Sequence, residues 1–179
     1  DHGTKSLTPE EFKHLGEQND ILMLDVRSEQ DFVKGFIPGS IFIGLNGQFA
    51  PWVGALITDI NKKIILITPE GKETQAVTRL SRVGYDNTQG VLKGGIGSWQ
   101  AAGFETRSIE SISPQEFVKR FTSENIEVLD VRKESEYQSE HIIGIDNLPL
   151  DDLEDTYTSL DKSKTYYLHC LGGYRSVIA

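Results

Sequence analysis

The chain has 179 residues, 37% of them hydrophobic and 25% charged, and its 18 Lys and Arg against 27 Asp and Glu give a formal net charge of −9. That balance suits an ordinary globular chain of one or two domains, and with no clustered Lys and Arg it argues against nucleic acid as a partner. No apolar run approaches the roughly 20 residues of a membrane span, no signal peptide opens the sequence, and a lone cysteine forms no intrachain disulfide, so a cytoplasmic setting away from membranes is expected.

Thr8-Pro9-Glu10-Glu11 reads as a helix start: a hydroxyl N-cap, Pro at the first helical position and Glu three residues after the cap. ILMLDV (21–26) is a short apolar strand ending on Asp, and IILI (64–67) is a second strand, followed by the loop TPEGKET. A helix over TRLSRVGY, a strand near Thr88–Leu92 and the glycine-rich LKGGIGSW (92–99) come next. Ser113-Pro114-Gln115-Glu116 then starts a further helix, IEVLDV (126–131) is a strand, and YYLH (166–169) runs into CLGGYRS. Strands alternating with short helices predict an α/β fold with a mostly parallel sheet covered by helices on both faces. Ligands of such sheets gather outside the carboxyl ends of the strands.

The order of elements repeats because the sequence does. Residues 7–39 align without gaps on 112–144, with eleven of 33 positions identical, where unrelated sequences would share about two. After three deleted residues, KIILITPEGKETQAV (63–77) lies on TYYLHCLGGYRSVIA (165–179). The expected organisation is two copies of one domain, 5–107 and 110–179. Val77 pairs with Ala179, so the second copy lacks the counterpart of 78–106, and its C-terminal part, including a core strand and helix, is expected to be missing. The chain opens on Asp1 rather than Met and is read as a piece of something longer.

CLGGYRS follows a strand and leads into a helix, so several N–H groups without intrahelical partners converge on one spot. Gly172 and Gly173 let the loop curl, and a thiol there beside Arg175 should have its pKa lowered from about 8.5 to roughly 3.5–7.5. Ser176 is a further donor. The bland alternative is inert burial, since free cysteine is among the most buried residue types. The spacing of Cys170, the glycine pair and Arg175 at a strand-to-helix junction favours the reactive loop.

That loop resembles the active loop of the rhodanese family of sulfurtransferases: cysteine, four residues, then arginine and a hydroxyl residue. LDVRSEQDFVKGFIPGS, LDVRKESEYQSEHIIG and LKGGIGSW resemble further motifs of the same family, so the likeness covers nearly the whole chain. It implies two rhodanese-like domains, with Cys170 as nucleophile, Arg175 as anion-attracting and loop-fixing residue, and Leu171, Gly172, Gly173, Tyr174 and Ser176 binding substrate. The implied donors are thiosulfate or a low-molecular-weight persulfide, and the implied acceptors a thiol, sulfite or cyanide. The wording LHCLGGYRSVIA is similar to rhodanese domains fused behind metallo-β-lactamase-fold persulfide dioxygenases. This implies an upstream domain that would hold a metal, with no cofactor in this chain, and leaves homo-oligomerisation open. Related cell-cycle phosphatases have five residues between Cys and Arg, so the four found here argue against phosphoryl transfer.

In the first copy Thr68 stands in the place of the cysteine, Pro69 removes a donor, Glu73 takes the arginine's place and Glu70 adds charge, so a repulsive loop without activity is expected. In the second copy Glu140 and Ile143 replace the family's usual turn Gly and Pro, which leaves that turn's shape open. Asp130 and Arg132 read as a strand-end ion pair supporting the site rather than catalytic groups, because Asp25 and Arg27 repeat them in the disarmed copy. His141 matches the family's turn histidine, near enough to reach the active loop though better suited to packing. His169 should face away from Cys170. His2 and His14 have no ligand spacing around them, so no metal site is expected, and Trp52 and Trp99 read as core or interface anchors. The competing class is a non-catalytic docking, dimerisation or persulfide-carrier module.

Overall fold

The computed structural model describes residues 3–179, so His2 lies outside the described residues. A break in contacts after Ile109 separates two units, the second being Glu110–Ala179. The first unit runs β1 (Ser6–Leu7), α1 (Pro9–Gly16), β2 (Ile21–Asp25), α2 (Glu29–Lys34), β3 (Ile41–Phe42), α3 (Phe49–Leu56), β4 (Lys63–Ile67), α4 (Glu73–Ser81), β5 (Thr88–Leu92) and α5 (Gly95–Ala101). Its sheet is wholly parallel in the order β1-β5-β4-β2-β3. Central β4 is continuously apolar from Ile64 to Ile67 and fully buried, as a strand covered on both faces must be. Leu7, Phe12, Ile37, Ile65, Ile67, Leu92 and Trp99 form one core cluster. Trp99 meets Phe12 edge-on and donates its ring N–H to the Glu105 carbonyl at 2.8 Å, while Trp52 is buried in α3.

The second unit contains α6 (Pro114–Ser123), β6 (Glu127–Asp130), α7 (Glu134–Ser139), β7 (Asp146–Asn147), α8 (Leu153–Thr156) between two short 3-10 turns, β8 (Tyr166–His169) and α9 (Tyr174–Ile178). Its parallel sheet, β7-β6-β8, repeats β3-β2-β4. The register repeats too: Asp25 lies beside Phe42 and Ile67, and Asp130 beside Asn147 and His169. The aspartates therefore end equivalent strands at equivalent places.

The two units differ where β5 would be. In the first, β1 pairs with β5. Among the described residues the second has no counterpart of β5, and Ser111-Ile112, which align with β1, stay out of the sheet. Burial follows: Leu66 of β4 is 0% exposed, whereas the aligned Leu168 of β8 is 38% exposed. Phe12 is fully buried and the aligned Phe117 only partly.

The helix starts form as expected. Thr8 Oγ1 accepts from Glu11 N–H at 3.2 Å and Glu11 accepts from Thr8 N–H at 2.9 Å, a reciprocal capping box. Ser113 caps Glu116 N–H at 3.2 Å, but Glu116 spends its carboxylate on Arg120 at 2.9 Å. The turn whose shape the sequence left open is the same in both copies. Gly35 has φ −176 and Glu140 φ −160, both extended backbone that any residue adopts, so glycine is dispensable there. The left-handed positions are Gly39 (φ 87) and Gly144 (φ 89), and both are glycine.

Candidate functional site

The site lies at the carboxyl ends of β6 and β8. Gly173, left-handed at φ 93, turns the chain from β8 into α9, and the loop folds over the Cys170 sulfur. Gly173 N–H donates to Sγ at 3.1 Å and Ser176 N–H at 3.4 Å. The thiol lies 3.5 Å from Ser176 Oγ, whose own proton goes to the Gly173 carbonyl at 2.9 Å. Burial, the largest single influence, pushes the thiol up. The hydrogen bonds with the Ser176 side chain and with the amides of Ser176, Gly172 and Gly173 together outweigh it, leaving the pKa below the ordinary thiol value. Cys170 is only 8% exposed and sits in a cradle of donors. Leu171, by contrast, is 83% exposed and stands out from the loop.

Arg175 is held more tightly than a freely reaching cation would be. Its Nη1 and Nη2 donate to the two oxygens of Glu136 at 2.6 and 3.0 Å, a bidentate pair joining α9 to α7. Arg175 chiefly, with the Lys133 N–H and Arg132, holds the Glu136 carboxyl down at about 2 against burial. Glu136 is a residue of the site that the sequence reading missed. An acid occupies the position in both copies, but in the first the aligned Asp31 faces no arginine and instead accepts from the Ser28 hydroxyl at 2.7 Å.

Asp130 and Arg132 form the strand-end pair. Arg132 Nε and Nη2 reach the Asp130 carboxylate at 3.0 and 2.6 Å, and Nη2 also donates to the Glu140 carbonyl at 2.8 Å. The first unit repeats this arrangement with Asp25, Arg27 and the Gly35 carbonyl. Burial pushes the Asp25 carboxyl up. At Asp130, with less protein around it, burial is still the largest influence but the Arg132 bonds prevail and the carboxyl lies low. Asn147 ties the Asp130 and Arg132 carbonyls at 2.8 and 2.9 Å, a brace that carries no sequence signature. His169 lies 4.0 Å from Asp130; burial first, then Arg132, lowers its pKa against the pull of Asp130. His141 stacks on Tyr137 of α7 and bonds its carbonyl at 2.8 Å, contacts with the helix that precedes it rather than with the Cys170 loop.

In the first unit the same loop keeps its turn without the nucleophile. Thr68 is buried in the cysteine's place, and Gly71, with φ 74, turns the chain as Gly173 does. Its N–H, the equivalent of the one that holds the sulfur, donates to the Glu73 carboxylate at 3.2 Å. Among the described residues no group of three or more His, Cys, Asp or Glu side chains is placed to hold a metal, and no helix is long and apolar enough to cross a membrane.

The model of the family described as Rhodanese-like domain matches residues 8–102 and 113–179. Two Bacillus subtilis (strain 168) proteins align over 73 residues each. YrkF, named as a candidate sulfur carrier, is 36% identical over 40% of this chain and 40% of its own length. YqhL is 29% identical over 41% of this chain and 56% of its own length. The aligned stretch is thus less than two thirds of either relative. The crystal structure of the Alr3790 protein from Anabaena sp. gives a TM-score of 0.52 at 23% identity, over 66% of this chain and 95% of that one, a likeness of fold.

Proposed function

Because the chain belongs to the rhodanese-like domain family, we propose that its second unit moves a sulfane sulfur from thiosulfate or a low-molecular-weight persulfide to a thiophilic acceptor, through a persulfide on Cys170. The Cys170 thiolate attacks the outer sulfur of the donor. The donor S–S bond breaks, and sulfite or a thiolate leaves with the electron pair. Sulfite, a thiol or cyanide then attacks the outer sulfur of the enzyme persulfide and takes it, and the Cys170 thiolate returns. The N–H groups of Gly173 and Ser176 hold the charge on the sulfur, and the Ser176 hydroxyl turns from the Gly173 carbonyl toward the thiolate when the proton leaves. Arg175, pinned by Glu136, fixes the loop and offers its field to the sulfur.

The cradle of donors around Cys170 Sγ carries this reading. Incubation with thiosulfate should add one sulfur atom to the intact mass, and cyanide should remove it. A Cys170→Ser variant that turned over thiosulfate and cyanide as fast as the parent would overturn it.

A second reading, a persulfide carrier that loads once and waits for a partner, draws on the 8% exposure of Cys170 and on the likeness to YrkF. Loading with no acceptor-dependent release would favour it. The wording of the Cys170 loop further supports a place behind a metallo-β-lactamase-fold domain in a longer cytoplasmic protein. A His-x-His-x-Asp-His run upstream in the full gene product is the observation that would establish that fusion.

A further inference from the structure

In the first unit a cavity of about 180 Å³ opens at the carboxyl ends of β2 and β4. This is the place that corresponds to the Cys170 loop in the repeat. Arg27, Asn46, Lys72 and Gln75 line it together with the apolar Val26, Leu45 and Pro69. Two cations and two amides line it, and no carboxylate does, in a chain of net charge −9.

The acids that the sequence placed in this loop do not fill the cavity. Glu73 turns to the Gly71 N–H, and Glu70 is exposed outside the lining. Lys72, Asn46 and Gln75 are all exposed to solvent. Arg27, which also lines the cavity, commits Nε and Nη2 to Asp25 and the Gly35 carbonyl. The volume equals roughly six water molecules' share of the liquid and lies below the 300 Å³ or so at which drug-sized pockets begin.

We propose that this cavity is a non-covalent binding site for a small oxyanion, the chemistry shared by thiosulfate, sulfite, sulfate and phosphate. Lys72 supplies the uncompensated charge, Arg27 being paired with Asp25, and the Asn46 and Gln75 amides supply directed donors. Thr68 is buried and Pro69 has no N–H, so the site binds without reacting. The duplicated domain keeps the anion preference of its architecture while its nucleophile is gone. The proposal does not depend on sulfur transfer at Cys170.

The test uses the isotope-labelled Cys170→Ser chain, in which no donor reacts covalently in the second unit. Sodium thiosulfate, sulfite, sulfate and phosphate are titrated at constant ionic strength, with chloride as the balance. The side-chain amide signals of Asn46 and Gln75 should shift saturably in the millimolar range. Lys72→Gln should weaken binding about tenfold, the loss of one charged hydrogen bond. Gln75→Glu, which sets an acid on an exposed wall, should abolish it. A response to thiosulfate and sulfite alone supports a site for sulfur oxyanions, and an equal response to all four supports a general oxyanion site. Unsaturating shifts, the same shifts with chloride, or a Lys72→Gln titration matching the parent overturn the proposal. Signals from Leu171 to Ser176 report the second unit separately, so a failure here leaves sulfur transfer at Cys170 untouched.

Discussion

Replacing Glu136 by Gln keeps the shape of the Arg175 contact and removes its charge. The fall of the Glu136 carboxyl from 4.5 to about 2 would be worth roughly 3 kcal/mol at about 1.36 kcal/mol per pH unit. The side chain is 34% exposed, however, and solvent screening brings the net contribution to about 1 kcal/mol. The sign follows from the direction: a depressed carboxyl stabilises the fold fully above pH 4.5 and loses that contribution as the pH falls through about 2. The single cysteine lies in the second unit and both tryptophans in the first, so each unit has its own reporter. Labelling of Cys170 by a pyridyl disulfide, which reacts with thiols even in acid, follows unfolding of the second unit in urea. Glu136→Gln should expose Cys170 at lower urea at pH 7, and the gap should close toward pH 2. Tryptophan fluorescence of the first unit should not change. A gap missing at pH 7, or one that persists at pH 2, refutes the assignment of the pair as the clamp on the loop.

Three further outcomes follow. Alkylation of Cys170 by iodoacetamide should have a pH midpoint below that of a free thiol, and Ser176→Ala should move it upward; an unchanged midpoint would deny the Ser176 side chain a part in the cradle. Gly144→Ala should cost about 1 kcal/mol in urea melts because its φ is 89. Glu140→Gly, although it restores the residue usual in the family's turn, should give no gain and lose up to about 1 kcal/mol, since that backbone is extended and glycine there only loosens the unfolded chain.

The strands that carry the site could be read from the sequence because each is a compact run of strand-forming residues, β6 ending on Asp130 and β8 leading into the Cys170 loop, and because the chain states the pattern twice. β1 and β3 could not: two residues have no periodicity, and both exist only through their partners in the sheet. α3 was missed because FAPWVGAL has no polar face to mark a helical period and no capping side chain to mark its start. Glu136 was missed for another reason. It meets Arg175 across 39 residues of sequence, and an acid in the first turn of a helix is ordinary wherever it occurs.

Comparing the two loops separates what the backbone supplies from what the side chains decide. Gly71 and Gly173 turn the chain with positive φ at aligned positions, and each presents its N–H to a negative or polarisable group. In one loop that group is a sulfur at 3.1 Å; in the other it is a carboxylate at 3.2 Å from a residue two positions further on. The donor is thus a property of the backbone turn and is present in both loops, exposed in the first and partly buried in the second. Where the second loop has Cys170 and Arg175 the first has Thr68 and Glu73, and the glutamate in the arginine's place is the acceptor for the turn's N–H. On this argument Thr68→Cys alone would put a thiol beside an amide already engaged, without the donor that Cys170 enjoys.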